Sequence, residues 1–305
     1  MSDGAAPPVS DPTAWPPMIV AVAPNGARRT KADHPAIPIT PDDIAETAKA
    51  CLDAGAAMMH MHVRDADQRH TLDVDAYRAA TKAVRDAVGD EIVIQATSEA
   101  VGMYAAAAQM AMVRELKPEA VSMAIRELVP DADHEKDAAD FFRWLVAENI
   151  QPQYILYSKE EAERFLDLRN RGVIPAERVF VLYVLGRYTK GQVSHPADLL
   201  PFLEVTGAMD CHWGFCAFDP REGAAAMMVA ALGGHPRIGF ENNRWLNNGD
   251  WAPDNAALIG QIADAAGLLG RPLATAAEAR ELLAAPMSAA TPAASALDDM
   301  MRPPA

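Results

Sequence analysis

Short apolar runs alternate with amphipathic stretches along most of the chain. Eight of them read as strands: Met18–Pro24, Met58–Val63, Glu91–Thr97, Ala120–Ile125, Gln153–Ser158, Arg178–Leu185, Met209–Phe218 and Pro236–Asn242. Each is short, rich in β-branched, aromatic or Met residues, and bounded by polar or Gly/Pro punctuation. Helical patterns fill the intervals. The clearest is "TPDDIAETAKACLDAG", in which Thr40 suits an N-cap, Pro41 the first helical position, Asp42 and Asp43 the positive end of the helix dipole, and Gly55 the stop. "KEEAERFLDLRNRG" and "PDNAALIGQIADAAGLLG" repeat that logic. Strands that are apolar on both faces and alternate with helices predict a parallel sheet. Eight such units predict a closed (β/α)8 TIM barrel over residues 18–284, with a loose leader at 1–17 and a tail at 285–305. An open Rossmann sheet is the other way to arrange such units. No GxGxxG follows the first strand, however, and no P-loop occurs.

Composition adds exclusions. Half of the 305 residues are hydrophobic, enough for a large core, and the net charge is −15. No basic stripe suggests nucleic acid. No run approaches the roughly 20 apolar residues that span a bilayer, and the start lacks the basic and apolar regions of a signal peptide. The three cysteines, Cys51, Cys211 and Cys216, form no CxxC pair. That usage points to thiols in a reducing cytoplasm.

The chemistry concentrates in "AAMMHMHVRD". His60 and His62 are two apart on a strand and so share a face, at the end that forms the mouth of a barrel. Two adjacent imidazoles on an inward face either share a cation, for which zinc is well suited, or hydrogen-bond as a structural pair. Glu241, in "HPRIGFENN", is the candidate third ligand. Its competing role is a salt bridge to Arg237, four residues earlier. His212 could point either way in its strand. His34, His70, His134, His195 and His235 fall in loops, where solvation is the expected role. Cys211 and Cys216 read as small core residues.

The blocks "PITPDDIAETAKACLDAGA", "MHMHVRD", "KPEAVS", "GGHPRIGFENN" and "GRPLATAAEARELL", in that order, resemble the β-keto acid cleavage enzymes, typified by the 3-keto-5-aminohexanoate cleavage enzyme. The resemblance runs from about Met18 to Ala284. It implies a zinc-bearing (β/α)8 barrel, commonly a tetramer, that condenses a β-keto acid with acetyl-CoA to give acetoacetate and a new acyl-CoA. It implies His60, His62 and Glu241 as zinc ligands, Arg237 beside the reacting centre, and Thr97, Ser98 and Ser122 near the substrate. Arg126 alternates with Ser122 and Ala124 and is a further candidate at the mouth, or else a partner in a surface salt bridge.

Departures from the family pattern qualify this. Asn242 stands where the family often has an aspartate that works with the arginine as the base, and an amide cannot accept a proton at neutral pH. Arg28 stands where the amino-substrate enzyme has an acid that holds an ammonium group. The second acidic position of that enzyme falls within "QPQYILYS" and is not acidic here. The turn "QATSEAVG" is remodelled. Arg28 therefore either receives an anionic or polar substrate tail, grips the CoA phosphates, or is a solvated loop residue. Two other functions compete with acyl transfer: a CoA-independent zinc aldolase or hydrolase, and a weakly active metal- and ligand-binding homologue.

Overall fold

A computed structural model describes residues 15–284 apart from 208, 210 and 219. The first fourteen residues of the expected leader and the whole expected tail lie outside the described residues. Eight strands close into an all-parallel barrel: β1 (Ala21–Val22), β2 (Met58–Met61), β3 (Val93–Thr97), β4 (Ala120–Ala124), β5 (Gln151–Leu156), β6 (Phe180–Leu185), β7 (His212–Ala217) and β8 (His235–Ile238). Each strand pairs with its sequence neighbour, and β8 returns to β1 through Arg237 opposite Ala21. The predicted (β/α)8 architecture is thus the observed one.

Alternation along the strands divides the side chains into two sets. Outward residues such as Val22, Met59, Ile94, Val121 and Met123 join the helices in the main core. The helix Pro41–Asp53 (α1) shows the local logic. Thr40 and Asp43 form a reciprocal capping box, Pro41 opens the helix, and Ile44, Ala45, Ala48 and Cys51 are buried on one stripe. The inward residues stack in layers. At the bottom, Ile19, Ala21, Met58, Val93, Ala120 and Phe180 form an apolar plug. Above it the register sets His60 beside Gln95, and Thr97 beside Ser122, in a polar belt. On the β4–β7 side of the same level the lining stays apolar, with Ala124, Ile155, Leu182, Val184, Cys216 and Phe218.

Several boundaries differ from the sequence reading. The last strand stops at Ile238 rather than Asn242, because Gly239 takes a φ of +143° and turns the chain. The first strand is confined to two residues, with Met18 making only an isolated bridge to Leu273. A short antiparallel hairpin, Val63–Arg64 with His70–Thr71, follows β2 and was not anticipated. Its turn is closed by the Asp65 carboxylate, which accepts from the backbone N–H groups of Asp67 and Arg69 at 2.9 Å each. This hairpin folds His70 back over the barrel mouth. At the other end Arg271 is buried and donates to the carbonyls of Ala230 and Gly234. No helix among the described residues is long and apolar enough to cross a membrane.

Candidate active site

His60 and His62 leave β2 pointing into the mouth, both buried. Their tautomers follow from their neighbours. His60 Nδ1 lies 2.9 Å from the amide oxygen of Gln95, so it carries the proton and leaves Nε2 with a lone pair. His70 Nε2 lies 2.8 Å from the carbonyl of Glu99, which can only accept. His70 therefore offers Nδ1 as an acceptor to His62 Nδ1, 3.5 Å away, and His62 Nε2 is left as a second lone pair. Burial and Arg237 push His60 down to about 4, and burial and His60 push His62 well below its ordinary value. Both rings are neutral at physiological pH.

Glu241 faces them from the turn after β8. Its Oε2 is 3.5 Å from His60 Nε2 and its Oε1 is 3.8 Å from His62 Nε2. Burial would raise this carboxyl, but Arg237 and His60 outweigh it and hold it below the usual range. Gly26 makes the close approach possible: with φ at +60°, an added Cβ would sit 2.6 Å from Glu241 Cγ. His60, His62 and Glu241 are the one His/Cys/carboxylate cluster of metal-holding geometry among the described residues, with ligand atoms within 4.8 Å of one another. Two neutral imidazoles and an ionised carboxylate suit zinc and leave positions open. Glu241 Oε2 is buried without a hydrogen bond, which fits a donor awaiting a cation.

Arg237 lies on β8 beside this cluster. Its Nη2 contacts Glu241 Oε1 at 3.8 Å and Cys216 Sγ at 3.4 Å, while Nε and Nη1 are buried with no partner. Against burial, Cys216 and Glu241 hold it firmly charged. Two unused donors on a buried cation are a ready site for an anionic oxygen. Cys216 is a buried core residue, as expected, whose sulfur also accepts from Arg237. A partly open cavity joins these groups: Arg237, His60, Glu241 and Thr97 line it with Ile155, Tyr157, Val184 and Phe218, and Glu99 and Arg187 are also in its lining.

The other predicted residues separate. Thr97 lines the cavity, and its hydroxyl accepts from the Glu99 N–H at 3.1 Å. Ser122 places its hydroxyl 3.4 Å from His60 Nδ1. Ser98 does not join them. Alternation turns it outward, where it donates to Gln109 on the helix Ala106–Leu116. Arg126 is not on the strand face expected of it, because β4 ends at Ala124 and a helical turn, Ile125–Leu128, begins. Its guanidinium pairs with Glu161 and stacks at 4.7 Å on Tyr157 and 4.6 Å on Tyr188. Arg28 is exposed and does not line the cavity, although its charge reaches Glu99. Asn242 is buried, and its amide donates to Glu222 Oε1 at 3.1 Å and to the Arg237 carbonyl at 3.4 Å. It is not part of the cavity lining.

Some residues given solvated roles are buried. His34 and His235 each accept a backbone N–H through Nδ1, from Ala36 and Ile19, both at 3.1 Å. His70 orients His62. His212 begins β7, at the end opposite the mouth, with its ring 5.8 Å from that of His235. The cavity residues missed from sequence are Glu99, Tyr157 and Arg187. Glu99 and Tyr157 lie two positions past the inward residues Thr97 and Ile155, and that spacing was the available signal; Arg187, in the loop after β6, carries no such spacing.

A parallel eight-stranded barrel with a His–His–carboxylate cluster and a buried arginine at its C-terminal mouth defines a (β/α)8 enzyme with a candidate metal centre. Comparison with known proteins places it further. The beta-keto acid cleavage enzyme family matches residues 17–284, and the chain belongs to that family. It is 30% identical over 273 residues to the 3-keto-5-aminohexanoate cleavage enzyme of Acetoanaerobium sticklandii, covering 87% of this chain and 97% of that one. It is 28% identical over 277 residues to the 3-oxoadipate:acetyl-CoA acetyltransferase of Cupriavidus necator, covering 88% and 95%. Among solved structures, apo ObcA superposes with a TM-score of 0.66 at 15% identity, over 82% of this chain and 65% of that chain, a likeness of fold.

Proposed function

We propose that this enzyme is a zinc-dependent acyltransferase that condenses a β-keto acid with acetyl-CoA, yielding acetoacetate and a new acyl-CoA. The observation that carries the reading is the facing pair of unprotonated Nε2 atoms, 3.1 Å apart, closed by Glu241 and flanked by the two unpartnered donors of Arg237. His60, His62 and Glu241 would hold the ion. When bound, it supplies Lewis acidity that stabilises charge on the keto oxygen.

The chain's own residues account for the rest. Arg237 receives the substrate carboxylate or an oxyanion through Nε and Nη1. The Ser122 hydroxyl lies beside His60, and Thr97 lines the same cavity, at the level where the keto group would sit. The apolar wall of Ile155, Val184 and Phe218 excludes water from the tail side. In the reaction, C2 of the β-keto acid loses a proton and attacks the thioester carbonyl, releasing CoA thiolate. The thiolate then attacks the original keto carbon, the C2–C3 bond breaks, and C2 takes up a proton as acetoacetate leaves. Among the described residues Glu99 is the carboxylate in the cavity lining that lies outside the candidate ligand set.

The homologues' names favour acyl transfer over a CoA-independent aldolase. Incubating a panel of β-keto acids with and without acetyl-CoA, and measuring acetoacetate, tests this. Acetoacetate that forms only with acetyl-CoA supports the reading, and CoA-independent cleavage overturns it. We further propose a cytoplasmic homotetramer, on the resemblance to the family. Light scattering at micromolar concentration checks the assembly, and a monomer there defeats it.

A further inference from the structure

Arg187 and Glu99 face each other across the mouth. Glu99 follows β3 and Arg187 follows β6, and these strands lie three places apart around the barrel. A single contact of 3.5 Å joins Arg187 Nη2 to Glu99 Oε1, longer than a good charge-assisted hydrogen bond. The Arg187 guanidinium also lies 5.3 Å from the centre of the Phe218 ring and 5.9 Å from that of Tyr188. The Arg187 side chain is 12% exposed and lines the cavity together with Arg237 and Glu241.

We propose that Arg187 determines specificity by receiving a second carboxylate at the far end of the substrate, so that the preferred β-keto acid is a 3-oxo dicarboxylate with a short methylene tail. This deepens the reading above and rests on it. The first reason is position. Arg237 adjoins the ligand cluster and takes the head of the substrate. Arg187 is the other cation in the lining, and the wall between them, Ile155, Val184 and Phe218, suits methylene groups. The second is charge balance. Arg187 and Arg237 are the two cations of the lining, separated by the apolar wall. A dicarboxylate neutralises both. A substrate with an ammonium tail neutralises Arg237 but sets a cation against Arg187, and one with an apolar tail leaves Arg187 without an anion. The third is the looseness of the Glu99 contact, which a planar bidentate partner can replace without breaking a strong bond. Arg28, exposed on the rim, adds attraction at longer range.

Calorimetric titration of the metal-loaded protein without acetyl-CoA tests the proposal. The probes are 3-oxoadipate, its tail-methyl counterpart 3-oxohexanoate, and 3-keto-5-aminohexanoate. The wild type is expected to bind 3-oxoadipate at least tenfold more tightly than either of the others. Arg187→Met should weaken 3-oxoadipate by tenfold or more while leaving 3-oxohexanoate within about twofold, since a polar subsite discriminates by its unpaired group. Arg187→Lys should fall between. A wild type that prefers the apolar or amino acid, or an Arg187→Met that weakens both acids equally with its circular dichroism unchanged, overturns the assignment. Absence of acetoacetate formation in the separate activity assay defeats the acyltransferase reading, while the binding preference still decides the role of Arg187.

Discussion

The Nε2 atoms of His60 and His62 lie 3.1 Å apart, and the hydrogen bonds behind them leave neither with a proton to donate to the other. Two lone pairs at that separation repel, and a cation between them relieves the repulsion. The protein is therefore expected to carry about one divalent ion per chain, most readily zinc. Elemental analysis of purified protein checks this. His60→Ala and Glu241→Ala should each lose the ion and the activity with the barrel intact. Full occupancy in either variant would remove the replaced residue from the ligand set.

The partners that fix the tautomers should matter nearly as much as the ligands. Gln95→Leu and His70→Phe are each expected to lower metal affinity by roughly 10–100-fold, the usual effect of removing an outer hydrogen bond to a ligating histidine. Competition against a chelator of known affinity measures it. Unchanged affinity in both would mean that the proton positions are set by something else.

Gly26 should tolerate no side chain. Gly26→Ala would bring a methyl to 2.6 Å from Glu241 Cγ at a φ of +60°, and the left-handed conformation alone costs roughly 1–2 kcal/mol. The expected result is a folded protein with reduced metal occupancy. Gly249→Ala is the control, because Gly249 also has positive φ, +90°, but no atom within 4 Å. It should lose some stability and keep its metal.

Glu222 gives a pH prediction independent of the metal. It is buried at the start of the helix Glu222–Ala231, and burial pushes its carboxyl up to about 8, against the hydrogen bonds from Asn242 and Asn243. Between about pH 4.5 and 8 the folded form holds a proton that the unfolded form has released. Stability should therefore fall as pH rises through that window, by roughly 1.4 kcal/mol per pH unit for this one group. Glu222→Gln removes the titration while keeping an acceptor for Asn242. Thermal unfolding of the two proteins should agree near pH 4 and diverge by pH 8, with Glu222→Gln the more stable. Parallel pH dependence in both would show that Glu222 is ionised in the folded state.

Much of this was legible along the chain because it depends on short-range periodicity. A two-residue alternation put His60 and His62 on one face, and eight apolar runs punctuated by helices implied a closed parallel barrel. The capping residues Thr40, Pro41 and Asp43 declared a helix start from local chemistry alone. The blocks around "MHMHVRD" and "GGHPRIGFENN" carried the family. What the sequence could not decide depends on where alternation ends. The turn at Gly239 takes Glu241 off the strand, and the helical turn after Ala124 carries Arg126 away to Glu161 and the tyrosines. The hairpin closed by Asp65 brings a histidine assigned to solvent onto His62, and strands β3 and β6 bring Glu99 to Arg187 over a separation of 88 residues. Periodicity fixes a side chain's face within one element. Only closure of the barrel fixes which faces meet, because that depends on the register of all eight strands at once.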